Sequence, residues 1–287
     1  MIPGQFEYHR PKDLAEAVGL MARLDDARVI AGGHSLIPMM KLRLAQPGHL
    51  VDLAAIAALK GARIEGDEIV IGAMTTQSQL IADAALAARL PILRETAEQI
   101  ADPQVRYAGT LGGNVANGDP GNDMPALMLT LDATFTLQGP SGRRTVAARA
   151  FYRGIYETSA QDGEILTEIR IPAPPPRHGY AYEKLKRKVG DYATAAAAVM
   201  LTVEGGRIAS CAIGLTNVAD RPLLAEGAAK AVIGTALDKA ALDKAAAAAE
   251  AICSPAEDGR GSAQYRTKMA GVMVRRALAR ALNRASA

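Results

Sequence analysis

Two glycine pairs set beside hydrogen-bonding side chains constrain this chain more than any other feature. The first pair, Gly32 and Gly33, sits in "RVIAGGHSLIPMMKLRLA". An apolar run that reads as a buried strand ends at Ala31. A helix-like run follows His34 and Ser35, with Pro38 tolerable only in its first turn. The second pair, Gly112 and Gly113, sits in "GTLGGNVANGDPGND" between Thr110 and Asn114. Glycine adopts positive φ and lets backbone N–H groups approach an anion closely. Successive N–H groups ahead of a helix make an anion-binding concavity. Two such loops predict one large anionic ligand gripped at two points, with a pyrophosphate at its centre. Ser35 and Thr110 add hydroxyls, while Asn114 and Asn117 can donate to phosphate or accept from ribose. Asp123 suits a sugar hydroxyl, or simply caps the helix "DMPALML". Glycine pairs also serve as plain turns, with Asn and Asp as ordinary turn formers. Recurrence of the pair with donors is what favours a ligand.

Several classes of function fall away. The Rossmann G-x-G-x-x-G and the P-loop G-x-x-x-x-G-K-[ST] are both absent. His9, His34, His49 and His178 show no ligand spacing, so no metal site is expected. The two cysteines, Cys211 and Cys253, cannot build a disulfide framework, and a reduced intracellular setting is expected. They also fall short of the four ligands that an iron–sulfur cluster needs. With a net charge of +3, scattered basic residues and no Trp, nucleic acid is not expected as a partner. "MIPGQFEYHRPKD" has no apolar core, so no secretory leader is expected, and no run reaches the roughly 20 apolar residues of a membrane helix.

The chain has 287 residues, 49% of them hydrophobic, which allows two domains with sizeable cores. "PKDLAEAVGLMARL" predicts a helix capped by Asp13, with Glu16 reaching back. "HLVDL" predicts a strand and "ARIEGDEIVIGAM" a hairpin about Gly66 and Asp67. "TTQSQLIAD", capped by Thr75 or Thr76, and "PILRETAEQI" predict helices. The second glycine loop spans about 102–123, and beyond it "PALMLTLDATFTLQGPSGRRTVAA" predicts a helix, then strands joined by a Gly-Pro-Ser-Gly turn. The mixture of elements, without strict alternation, predicts an α+β fold in two lobes, about 1–55 and 56–175. Four prolines in 172–176 make a stiff connector and end this domain. The domain at 176–287 should hold antiparallel strands in "YAYEKLKRK", "ATAAAAVMLTVE" and "RIASCAIGLTN", with Gly205 and Gly206 turning the last two. Three helices, near 222–233, 238–252 and 262–283, should close the chain, the last burying Tyr265, Met269, Val272 and Met273.

"AGGHS" followed by "TLGGN" resembles the paired flavin motif of the FAD-binding medium subunits of molybdenum hydroxylases. "FEYHRPKDLAEAV", "ADPQVRYAGTLGGNVANGDPGNDMPALM", "YEKLKRKVGDYATAAAAV" and "GLTNVA" extend the likeness over nearly the whole chain. Within the family it is most similar to the group serving aerobic carbon monoxide dehydrogenases, which contain molybdenum and copper. The resemblance implies a two-lobed, vanillyl-alcohol-oxidase-like FAD domain and a C-terminal domain of antiparallel sheet and helices. Carried over by position, Ala31, Gly32, Gly33, His34 and Ser35, with Thr110, Gly112, Gly113 and Asn114, would hold the FAD pyrophosphate. Ile100 and Ala101 would lie along the flavin, Leu166 and Tyr192 against its ring, and Asp123 at the ribose or nearby groups. Lys184 matches a family lysine near the flavin if a one-residue gap is allowed. Tyr192 alternatively reads as a strand tyrosine of the core.

The family also explains the lack of a catalytic base or nucleophile, since a flavin carries its own chemistry. The molybdenum cofactor, with copper, and two-iron two-sulfur clusters would belong to a large and a small partner subunit, assembled as a dimer of heterotrimers. A cytoplasmic location is implied, with peripheral contact at the inner face of the membrane and a quinone or cytochrome as acceptor. Two alternatives stand beside this: a related hydroxylase of purines, aldehydes or N-heterocycles, and a nucleotide-binding regulatory module without redox chemistry.

Overall fold

The computed structural model describes residues 2–285. Its first lobe is a parallel three-stranded sheet ordered β1-β3-β2: β1 Glu7–His9, β2 Ala27–Ile30 and β3 His49–Asp52. The helix α1, Leu14–Arg23, covers one face with Ala17 and Leu20, against Val51. Asp13 caps α1 by accepting from the Glu16 amide at 2.9 Å, while the Glu16 carboxylate reaches back to the Lys12 amide, one residue before the cap. A short helix, α2 Leu36–Lys41, follows β2.

The second lobe is an antiparallel sheet in the order β4-β5-β10-β6-β7. Its strands are β4 Ala62–Glu65, β5 Glu68–Gly72, β6 Thr134–Gly139, β7 Gly142–Ala147 and β10 Ile165–Pro172. A small hairpin, β8 Tyr152–Gly154 with β9 Glu157–Thr158, stands apart. Five short helices and one fully buried helix lie between β5 and β6. They are α3 Gln77–Ala82, α4 Ala84–Arg89, α5 Pro91–Gln99, α6 Pro103–Ala108, α7 Leu111–Ala116 and α8 Asp123–Thr130. Thr76, not Thr75, caps α3 in a complete capping box with Gln79.

The C-terminal sheet runs β11-β12-β13-β14: β11 Gly179–Leu185, β12 Ala195–Glu204, β13 Arg207–Thr216 and β14 Leu223–Leu224. The helices α9 Glu226–Val232, α10 Lys239–Ala251 and α11 Ala263–Ala285 follow. The alanine run is a strand because both of its faces are covered. Ala196 and Ala198 join the second lobe's core with Met124 and Leu127, while Ala195, Ala197 and Val199 pack under Ala277 and Leu278 of α11. Small side chains let a helix settle on each face. This close packing also rotates α11 from the expected face. Tyr265 is 46% exposed, whereas Arg266 is buried and donates to the carbonyls of Thr194, Ala256 and Asn217.

Candidate functional site

A cleft of about 1360 Å³ opens where the two lobes and the C-terminal domain meet. It exceeds the roughly 300–1,000 Å³ of ordinary small-molecule pockets. β2 delivers Ala31, Gly32, Gly33, His34 and Ser35 to one wall. Ile100 and Ala101 lie at the end of α5, while Thr110, Gly113, Asn114 and Asn117 come from α7 and its flanks. Asp123 opens α8, Lys184 comes from β11, and Tyr192 from the connection between β11 and β12.

The first glycine segment behaves as its sequence predicts. Gly33 has φ of +73° and frees the backbone to turn. Gly32 is required by contact, since a β-carbon there would lie 2.4 Å from the Ala108 carbonyl oxygen. That contact joins the two glycine segments, one from each lobe. Among the described residues the amides of Gly33, His34, Ser35 and Leu36 meet no protein acceptor, and the Ser35 hydroxyl caps nothing. These donors suit an anion.

The second segment is not a loop. Its glycines lie in α7, and Thr110 caps that helix by accepting from the Gly113 amide at 3.0 Å. The Leu111 and Gly112 amides donate to Thr75 and Ala73 at 2.9 and 2.8 Å. Its first amides are therefore spent on the protein, and the expected second cradle of backbone donors does not form. Gly112 lies behind the wall, where a β-carbon would stand 2.4 Å from that of Ala73. Gly113 does face the cleft. Asn114 ties α7 to α8, accepting from the Met124 amide and, through its carbonyl, from the Asn122 side chain. The side-chain nitrogen of Asn117 and both amide atoms of Gln77 are buried on this wall without a protein partner. Buried polar atoms are rarely left unpaired, so a polar ligand fits here.

Deeper in the wall, Lys184 donates to Asp123 at 2.7 Å and to the Gln99 carbonyl at 3.2 Å. The Tyr182 hydroxyl takes the other Asp123 oxygen. Burial first, and then the Asp123 charge, push the Tyr182 phenol well up, so it stays a donor. Both carboxylate oxygens thus hold protein partners, and Asp123 is the counter-ion of Lys184. Tyr192 is no core residue. It is 42% exposed, outside any strand, with Gly121 against its ring and the Arg260 guanidinium 5.5 Å over it. Burial and then Asp119 push its phenol up. Ala101 holds φ of +41°, strain that an alanine keeps only under constraint. Leu166 does not reach the cleft and packs in the second lobe's core. Burial pushes the Cys211 and Cys253 thiols up to about 12, so neither is a nucleophile at neutral pH.

Residues 4–174 match the family model described as the FAD binding domain in molybdopterin dehydrogenase. The chain belongs to that family. Residues 180–281 match the CO dehydrogenase flavoprotein C-terminal domain. The carbon monoxide dehydrogenase medium chain of Afipia carboxidovorans is 66% identical over 286 residues, 99% of each chain. That of Hydrogenophaga pseudoflava is 54% identical over 279 residues, 97% of each. A solved structure of reconstituted CO dehydrogenase from Oligotropha carboxidovorans superposes with a TM-score of 0.98 at 66% identity, covering 99% of this chain and 100% of that one.

As a member of the family, the chain is an FAD-carrying oxidoreductase component, and the cleft suits that cofactor in size and in donors. Sequence reasoning missed several residues on its wall. Gln77 follows a helix cap and looked like part of an ordinary helix start. Tyr156 and the segment 157–164 carry no glycine pair and gave no signal. Behind the wall, Tyr182 reads as a strand residue and shows its role only through Asp123. The histidines held another surprise: with no ligand spacing in sequence, His9 and His49 nonetheless meet at 3.1 Å across β1 and β3.

Proposed function

We propose that this chain is the medium subunit of an aerobic carbon monoxide dehydrogenase, a three-chain molybdenum hydroxylase. Full-length identity of 66% to such a medium chain carries the reading. The holoenzyme would convert CO and water to CO2, two electrons and two protons. The large partner would hold the molybdenum and copper, the small partner the two-iron two-sulfur clusters, and two such heterotrimers would pair. FAD, when bound, supplies the relay between those clusters and an external acceptor such as a quinone or cytochrome.

The chain's own residues bind and orient. The amides of Gly33 to Leu36 and the Ser35 hydroxyl would take the pyrophosphate, with Gly113 leaving room beside it. Asn117 and Gln77 would bond polar edges of the cofactor. Lys184, fixed by Asp123 and Gln99, offers a held positive charge, while Ile100, Ala101 and Tyr192 would exclude water from the ring. No substrate site for CO is needed here. Among the described residues no helix is long and apolar enough to cross a membrane. The reading places the assembly in the cytoplasm, in peripheral contact with the inner membrane face. A regulatory module without redox chemistry does not survive the family match. A related hydroxylase of purines, aldehydes or N-heterocycles is the competing reading, because substrate choice would lie in the large subunit. Turnover by the purified native complex decides between them. CO-dependent reduction of an artificial acceptor supports the proposal, and turnover of a purine, aldehyde or N-heterocycle with none of CO refutes it.

A further inference from the structure

The first lobe's sheet brings together three side chains that the sequence separates by about forty residues. β1 runs parallel to β3, with Glu7 opposite His49 and His9 opposite Val51. Side chains alternate along a strand, so Glu7, His9 and His49 share a face. His9 Nε2 lies 3.1 Å from His49 Nδ1. The same Glu7 oxygen, Oε2, lies 3.5 Å from His49 Nδ1 and 3.9 Å from His9 Nε2. Both histidines are half-buried and Glu7 is exposed.

A hydrogen bond between the two rings explains one edge of this triangle, and loose ion pairs of Glu7 with a protonated ring would explain the other two only one at a time. A shared ion explains all three. The point in the plane of the three atoms and equidistant from them lies about 2.0 Å from each, so an ion about half an ångström above that plane meets all three within the roughly 2.0–2.2 Å of zinc–nitrogen and zinc–carboxylate bonds. We infer that Glu7, His9 and His49 form a binding site for a divalent transition-metal ion of the zinc class, with water completing a tetrahedron. Two imidazoles and a carboxylate favour such an ion over magnesium or calcium, which prefer all-oxygen sets. None of the three residues lines the large cleft.

The site's position gives the ion its work. β1 is a three-residue edge strand that, among the described residues, pairs only with β3. Metal bonds from Glu7 and His9 to His49 would clip it there. β3 in turn pairs with β2, the strand that delivers Gly32 and Gly33. An ion that binds only the folded sheet stabilises it by mass action.

The test uses the full chain, stripped with a chelator and titrated with zinc ion alone against a chromophoric chelator. One equivalent should bind, and cobalt(II) in its place should give the visible bands of a tetrahedral site. His9→Asn and His49→Asn should each weaken zinc binding at least tenfold, and Glu7→Gln several-fold. Zinc should raise the melting temperature of the parent and not of the histidine variants, with far-UV circular dichroism confirming their fold. If the histidine variants do not fold, the exposed Glu7→Gln variant alone decides. Absence of stoichiometric binding overturns the inference, as does binding that Glu7→Gln and the folded histidine variants leave unchanged.

Discussion

Removing the Lys184 ammonium should be among the most damaging single changes in the cleft wall. Its side chain is 1% exposed, that of Asp123 6%, and they meet at 2.7 Å. Lys184→Met keeps the stem and removes the charge, leaving a buried carboxylate bonded only by the Tyr182 hydroxyl. Breaking a buried pair from one side costs about 3–5 kcal/mol, because the remaining charge lies uncompensated. Asp123→Leu should cost a similar amount, since the ammonium then has only the Gln99 carbonyl. Removing both charges, as Asp123→Leu with Lys184→Met, leaves no buried ion. Its residual cost is mainly the Tyr182 hydroxyl's lost acceptor, about 1–3 kcal/mol. The double variant should therefore lose far less than the two singles together, by roughly 3 kcal/mol or more. Urea unfolding followed by circular dichroism reads this directly. With a slope near 3 kcal/mol/M, each single change lowers the midpoint by about 1–1.7 M. Single losses below about 1 kcal/mol, or a double variant equal to the sum, would refute the picture of Asp123 as a buried counter-ion.

Gly33→Val forces a β-branched residue to positive φ and should give protein with little FAD, as should Gly113→Val through its collision with Thr110 and the space it takes on the wall; full flavin content in Gly33→Val would contradict the cradle, and in Gly113→Val the room assigned beside it. Tyr192→Phe removes the hydroxyl near Asp119 and should shift the flavin potential by about 20–30 mV, corresponding to about 1 kcal/mol of one hydrogen bond. Tyr192→Ala should also loosen the cofactor; unchanged potential, occupancy and electron-transfer rate in both variants would remove Tyr192 from the site. Arg144 grips Glu164 through both oxygens, at 2.6 and 2.7 Å, and that hydrogen bonding holds the Glu164 carboxyl below its ordinary range. A depressed carboxylate stabilises the fold above its unfolded pKa, so this contribution is full at neutral pH and is lost as pH falls below about 4.3. Glu164→Gln should flatten the acid limb of midpoint against pH, and an identical limb in the variant would argue against the pair.

The strands and caps that depend on local pattern were legible in the sequence. The Gly66–Asp67 hairpin, the Asp13 cap and the alanine-rich strand all follow from alternation, turn chemistry and capping. The second glycine segment was misread because a helix tolerates glycine when packing demands it, and nothing in "TLGGN" reveals that Ala73 presses on Gly112. The inward face of α11 was misplaced by about one residue. Its alanines and a buried arginine face the sheet, which hydrophobicity alone does not rank above tyrosine. The glycines, Ser35, Thr110, Asn114, Asn117 and Asp123 of the cleft were readable from residue chemistry, while Ile100, Ala101, Lys184 and Tyr192 came from the family likeness. Gln77, Tyr182 and the paired histidines needed the fold, because each acquires its meaning from a residue far away in the chain.

The central claim is that this chain holds FAD in the three-part cleft and receives its electrons from partner chains. Anaerobic addition of CO, with flavin absorbance recorded in both the assembled complex and the isolated FAD-loaded chain, tests both halves together. The account predicts rapid bleaching of the flavin in the complex and none in the isolated chain. Bleaching of the isolated chain by CO, or an oxidised flavin in a complex that is turning CO over without an external acceptor, would contradict it.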